Sequence, residues 1–162
     1  NAGHDVGGRT PFASGTADDW SDIIDTNLRA ALRVTRAILP GMVQRRKGDI
    51  VNMGSTSGIK SYANIAAYGA SKAALHMFSD NIRSELSGSG VRVIEVQPGP
   101  VRSGFAEARL RGDETAIREY WTEMSGDLPL ESSDVAETVV FALTRPSHVT
   151  LSQIVMQPSS KC

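Results

Sequence analysis

Apolar residues recur at helical spacing from Trp20 through Ile23, Ile24, Leu28, Ala31, Leu32 and Leu39, with Asn27 and Thr35 as polar members of the same stripe. This period predicts one long helix over 16–46, opened by Thr16 with Asp18 and Asp19 in its first turn. Pro40 lies inside it and predicts a kink or break there. The run DIVNMG (49–54) reads as a short buried strand. A second helix is expected over 66–87, burying Leu75, Phe78, Ile82 and Leu86. VRVIEVQ (91–97) reads as the next strand, stopped by Pro98-Gly99-Pro100. Ser132 or Ser133 caps a helix over about 133–145, closed by Pro146, and residues 153–157 form a last strand. Residues 1–15 and 55–65 are rich in Gly and small polar residues and read as loops. The charged stretch 103–126 is expected to form a lid with a helix near 113–124. Helix and strand alternate three times, which predicts one α/β domain with a parallel sheet and helices on both faces. Ligands of such sheets bind beyond the carboxyl ends of the strands, here residues 54–58 and 98–104.

Composition narrows the function classes. The 162 residues carry a net charge of −1, so no strong field argues for a nucleic acid or an anionic membrane. The basic run Arg45-Arg46-Lys47 sits at a predicted helix end, where it complements the helix dipole. No apolar stretch approaches the roughly 20 residues that span a bilayer. The single cysteine, Cys162, permits no disulfide within the chain, which fits a reducing, cytoplasmic compartment. His4, His76 and His148 have no metal-ligand spacing and receive no role.

The stretch AAYGASKAALHMF (66–78) changes the picture. Tyr68 and Lys72 stand at i and i+4 and share a helix face. A free phenol, with a pKa near about 10, is a poor base at neutral pH. A cation about 5 Å away, at an effective dielectric of about 20, favours phenolate by roughly 3 kcal/mol. That is about two pKa units, enough to bring the Tyr toward acid–base work. The pair alone is a weak signal, because a Tyr half in the core beside a snorkelling Lys satisfies it equally.

The pair has company. Ser55 ends a strand 13 residues before Tyr68, and Asn27 interrupts the apolar face of the first helix. Asn1-Ala2-Gly3 opens the chain, and PGPVRS (98–103) follows the second strand. In order and separation these residues resemble the short-chain dehydrogenase/reductase family. The resemblance implies the C-terminal portion of a Rossmann-type doubly wound parallel sheet. It also implies roles. Tyr68 would exchange a proton with the substrate oxygen. Lys72 would lower the Tyr68 pKa and hold the nicotinamide ribose. Ser55 would hydrogen-bond the substrate oxygen, and Asn27 would anchor a water in a proton relay. Pro98, Gly99, Val101 and Ser103 would hold the nicotinamide end, with Ser103 replacing the family's usual Thr. Ala2 and Gly3, with Asn1 before them, would lie along the cofactor near its adenosine half. A serine-hydrolase reading fails, because GSTSG (54–58) places its serines wrongly for a nucleophile elbow.

The stretches 104–121 and 130–160 resemble the NADP-dependent 3-hydroxy acid (serine and allo-threonine) dehydrogenase branch. That resemblance implies NADP, with NAD not excluded, and a small-molecule substrate whose carboxylate Arg109 or Arg111 would meet. A solvated lid helix, with Glu107 and Asp113 as arginine partners, is the alternative for those two residues. It also implies a homo-oligomer, dimer or tetramer, through helices 16–46 and 66–87. No glycine-rich strand–turn–helix for the cofactor pyrophosphate occurs in the chain. By the family's pattern, roughly 80–90 residues would precede Asn1. Residues 1–162 alone are therefore expected to be poorly stable and inactive. Two other functions stay open: a general carbonyl reductase of the same family, and a noncatalytic interaction module.

Overall fold

The computed structural model describes residues 2–124 and 128–161. Three strands form a parallel sheet in the order β1 (Gly48–Met53), β2 (Val91–Pro98), β5 (Gln153–Met156). The crossovers are helical, as parallel pairing requires. Alternation along β2 feeds two cores. Val91 and Val93 face α3 (Ala66–Glu85), packing with Ile50, Ile82 and Leu86 and, behind them, Leu39, Met42 and Phe78. Ile94 and Val96 face the other side and pack with Ala142, Val135 and Val139 of α6 (Ser132–Leu143). The expected α/β architecture with helices on both faces is present.

The first long helix differs from its expected form. It begins as predicted, with Thr16 as N-cap accepting from the Asp19 N–H at 3.2 Å. Then α1 (Ala17–Ile24) passes through a π-helical turn, Asp25–Arg29, into α2 (Ala30–Gln44). The helical pattern is therefore interrupted beside Asn27, and Pro40 neither breaks nor ends it. Pro40 and Arg36 are both exposed, so the carbonyl deprived of its N–H partner meets water. The π turn places Asn27 wholly inside.

The charged stretch contains two short helices, α4 (Phe105–Arg109) and α5 (Glu114–Met124). The sequence pattern predicted the second and missed the first. A two-residue pairing of β3 (Val101–Arg102) with β4 (Leu130–Glu131) pins both ends of this segment beside the strand termini. Residues 125 and 126 of the expected lid lie outside the described residues.

Candidate active site

Four elements converge at the carboxyl ends of β1 and β2. Ser55 follows β1 and caps the 3₁₀ turn Thr56–Gly58, its Oγ accepting from the Ser57 N–H at 3.1 Å. The first turn of α3 carries Tyr68, and the next carries Lys72. Both are buried, at 7% and 6% exposure. The Ser55 hydroxyl hydrogen-bonds the Tyr68 phenol. Lys72 Nζ donates to the Met53 carbonyl at 2.8 Å and lies 5.7 Å from the Tyr68 ring centroid.

The direction of the Tyr68 shift corrects the sequence reading. Lys72 was expected to draw the phenol pKa down. Burial instead pushes it above its ordinary value of 10, against the Ser55 hydrogen bond and the charge of Arg109. An enclosed phenolate is disfavoured, and the nearby ammonium is committed to a backbone carbonyl. Burial also lowers Lys72, to about 8, while the charge of Glu95 resists that fall.

Asn27 is held more tightly than its expected role needs. Its Nδ2 donates to the His4 carbonyl at 2.9 Å and to Ser71 Oγ at 3.0 Å. Its Oδ1 accepts the His4 N–H at 2.9 Å. Asn27 thus ties the N-terminal loop to α3. Gly3 passes between Asn27 and Lys72, where an added Cβ would lie 3.2 Å from Asn27 Oδ1 and 3.4 Å from Lys72 Nζ.

Two cavities meet at Tyr68. The larger, about 360 Å³, is lined by Ser55 and Tyr68, by Arg9, and by Phe105, Arg109 and Trp121 of the α4–α5 segment. The smaller, about 310 Å³, is lined by Gly3, Lys72 and Tyr68. Pro98, Val101 and Ser103 line both, and Gly99 lines the larger. Most of the expected site residues are therefore brought together. Ala2 is exposed and lines neither cavity, and Asn1 lies outside the described residues.

The two candidate arginines part company. Arg109 is buried in the cavity wall, with its guanidinium carbon 5.4, 4.8 and 5.5 Å from the ring centroids of Tyr68, Phe105 and Tyr120. Its Nε lies 2.8 Å from Asp5 Oδ2. Burial raises Asp5 to about 6, outweighing the attraction of Arg109. Arg111 does not line this cavity and pairs at the surface with Asp19 at 2.8 Å, in place of the expected Glu107 or Asp113. Arg9, Asp5 and the aromatic wall of Tyr120 and Trp121 escaped the sequence reading. They meet only through the tertiary fold, and no spacing announces them. Among the described residues no group of three His, Cys, Asp or Glu side chains could hold a metal ion.

Comparison with known proteins gives this arrangement a family. The sequence profile of the short chain dehydrogenase family matches residues 1–114. The chain belongs to this family. Among short chain dehydrogenases, the NADP-dependent 3-hydroxy acid dehydrogenase YdfG of Escherichia coli (strain K12) is 38% identical over 152 residues, covering 93% of this chain and 60% of that protein. Sulfoacetaldehyde reductase 2 of Chromohalobacter salexigens is 37% identical over 142 residues, covering 87% of this chain and 55% of that one. Among solved structures, a serine dehydrogenase in its closed form complexed with NADP+ superposes with a TM-score of 0.94 at 37% identity, covering 100% of this chain and 64% of that one. The chain thus spans less than two thirds of each of these relatives.

Proposed function

We propose that this chain carries the catalytic residues of an NADP-dependent oxidoreductase acting on a small hydroxy or carbonyl compound, a 3-hydroxy acid in particular. One observation carries the reading: Tyr68, bonded to Ser55 and one helical turn from Lys72, forms part of the wall of both cavities. A proton donor at such a junction serves a reaction between two bound molecules. The residues of the smaller cavity fit the nicotinamide end of a cofactor. Gly3 leaves room beside Lys72, and Pro98, Val101 and Ser103 supply backbone groups and a hydroxyl. The names of the relatives above favour NADP over NAD.

When bound, NADPH supplies the hydride. Tyr68, kept protonated by burial, donates its proton to the substrate carbonyl oxygen. The Ser55 hydroxyl donates a hydrogen bond to the same oxygen as negative charge grows there. The Lys72 ammonium orients the cofactor ribose and favours the phenolate left behind. In the oxidative direction Tyr68 takes the hydroxyl proton back. Asn27 holds the N-terminal loop against α3, so that Gly3 stays beside Lys72.

The larger cavity selects the substrate. Arg109 and Arg9 give its wall two cations, which suits a small acid. Two of the relatives are named for small anionic substrates, a 3-hydroxy acid and sulfoacetaldehyde. The same reading places the protein in the cytoplasm. The test is a panel of 3-hydroxy acids, sulfonates and neutral alcohols with NADP+, on the natural protein. Turnover of 3-hydroxy acids above neutral alcohols is expected, and the Tyr68→Phe variant should bind cofactor yet lose turnover by at least about a hundredfold. Equal use of neutral alcohols would favour a general carbonyl reductase. Full activity in Tyr68→Phe would refute the assigned chemistry.

A further inference from the structure

Helix α3 carries a polar stripe with a spacing of four: Tyr68, Lys72, His76 and Asp80. The first two belong to the site above, and the third reaches under it. His76 Nδ1 lies 2.7 Å from Glu95 Oε2, while its Nε2 looks outward, 3.9 Å from Asp80 Oδ2. Glu95 stands in the central strand and is 0% exposed. Its second oxygen, Oε1, has no hydrogen-bond partner among the described residues. That oxygen lies directly against Gly54, where an added Cβ would approach to 2.3 Å. Gly54 follows Met53, whose carbonyl holds Lys72 Nζ at 2.8 Å. The unbonded carboxylate oxygen therefore packs against the residue next to the anchor of the ammonium.

A wholly enclosed carboxylate is strongly disfavoured unless donors or cations answer it. His76 answers one oxygen. The other is left near a buried cation that is disfavoured for the same reason. We propose that Glu95 is a positioning residue for the reaction: its carboxylate, oriented by His76, is the counter-charge that keeps Lys72 an ammonium beside Tyr68. This rests on the reading of Tyr68 and Lys72 given above. The balance of influences on Lys72 agrees, since burial drives its proton off and the charge of Glu95 holds it on. The other groups facing this spot are identifiable. Helix α3 itself brings Tyr68, His76 and Asp80. The N-terminal loop brings His4 against Asn27 and Asp5 toward Tyr68. Strands β1 and β2 add the neutral Met53 carbonyl and Gln97, whose Nε2 is 3.1 Å from His76 Nδ1.

The deciding measurement is the titration of Lys72 in the natural protein, followed by NMR of 13Cε-labelled lysine. In Glu95→Gln, which keeps shape and loses charge, the Lys72 midpoint should fall by about one pH unit. The high-pH fall of NADPH-driven reduction should move down with it, and Glu95→Asp should restore most of both. His76→Arg gives a second route, should Glu95→Gln fail to fold. A fixed guanidinium beside Glu95 neutralises it in place, and the Lys72 midpoint should again fall. A Lys72 titration unmoved in both variants, even with lowered thermal stability, would reduce Glu95 to a packing role and overturn the inference. The NMR readout needs no turnover, so an inactive protein would refute the proposed function and still decide this point.

Discussion

Tyr68 and Asp5 share one difficulty, since each is an acid enclosed where its charged form is poorly solvated. For Tyr68 this keeps the phenol protonated. For Asp5 it makes the hold on its partner, the permanently charged Arg109, dependent on pH. Above about 6 the Asp5 carboxylate is ionised and competes with any bound anion for Arg109. Below that value Asp5 is neutral, and the guanidinium is left for the substrate. The KM for an acid substrate should therefore fall as pH drops through about 6, and a neutral alcohol should show no such trend. In Asp5→Asn the trend should vanish, with KM low throughout. Steady-state kinetics from pH 5 to 8 would check this, and a KM for acids that rose on acidification would contradict it.

At the scale of elements, the α4–α5 segment is fastened to the N-terminal region by three ion pairs. These are Arg109 with Asp5, Arg111 with Asp19, and Arg9 with Glu123. The last two are solvent-exposed, and such pairs contribute about 0–1 kcal/mol each and weaken with salt. They hold one wall of the larger cavity in place without adding much to the stability of the whole. Asp19→Asn should thus speed amide exchange in α5 severalfold while leaving α3 unchanged, with the melting temperature lowered by no more than a few degrees. Hydrogen exchange read by mass spectrometry would show this, and identical α5 protection in the variant would count against the fastening. These fastenings mark what the sequence hid. Ser55, Tyr68 and Lys72 were legible because motif spacing on one strand end and one helix face fixes their meeting. The α4 turn, the Asp5–Arg109 pair and the Glu95–His76 contact join residues far apart in the chain. Only the assembled sheet brings them together. Pro40 does not break α2, because the carbonyl it deprives faces water, and periodicity does not report which way that carbonyl faces.

Across the whole molecule, apolar side chains remain uncovered in two regions. Helices α2 and α3 expose Val34 and Met77, at 59% and 57%, together with Leu32, Ile38 and Val43. Helix α6 and β5 expose Val140, Phe141 and Val155. Among the described residues, β1 pairs with β2 alone, so its outer edge is open. Open parallel edges and apolar helix faces call for covering. The α2–α3 face suits self-association of the kind expected from the sequence. The natural protein should sediment as a dimer or tetramer, and Val34→Glu combined with Met77→Glu should shift it to a smaller species at micromolar concentration. An unchanged sedimentation mass in the double variant would place the contact elsewhere. No helix among the described residues is long and apolar enough to cross a membrane.

The π-helical turn at Asp25–Arg29 works as a phase corrector. Ile23 and Thr35 are both buried, twelve positions apart. In an unbroken α-helix that separation would set them about 120° apart around the axis. One residue absorbed by the wider turn brings them to within about 20°. The two halves of the helix therefore share one inward face because the π turn takes up the surplus residue between them. Removing that residue would restore regular α-helical hydrogen bonding and leave the two halves in phase, with only the residues of the turn itself, Asn27 among them, displaced. The surplus residue is thus accommodated at one place, the turn that carries the buried Asn27, while the helix on either side keeps the phase it would have had without it.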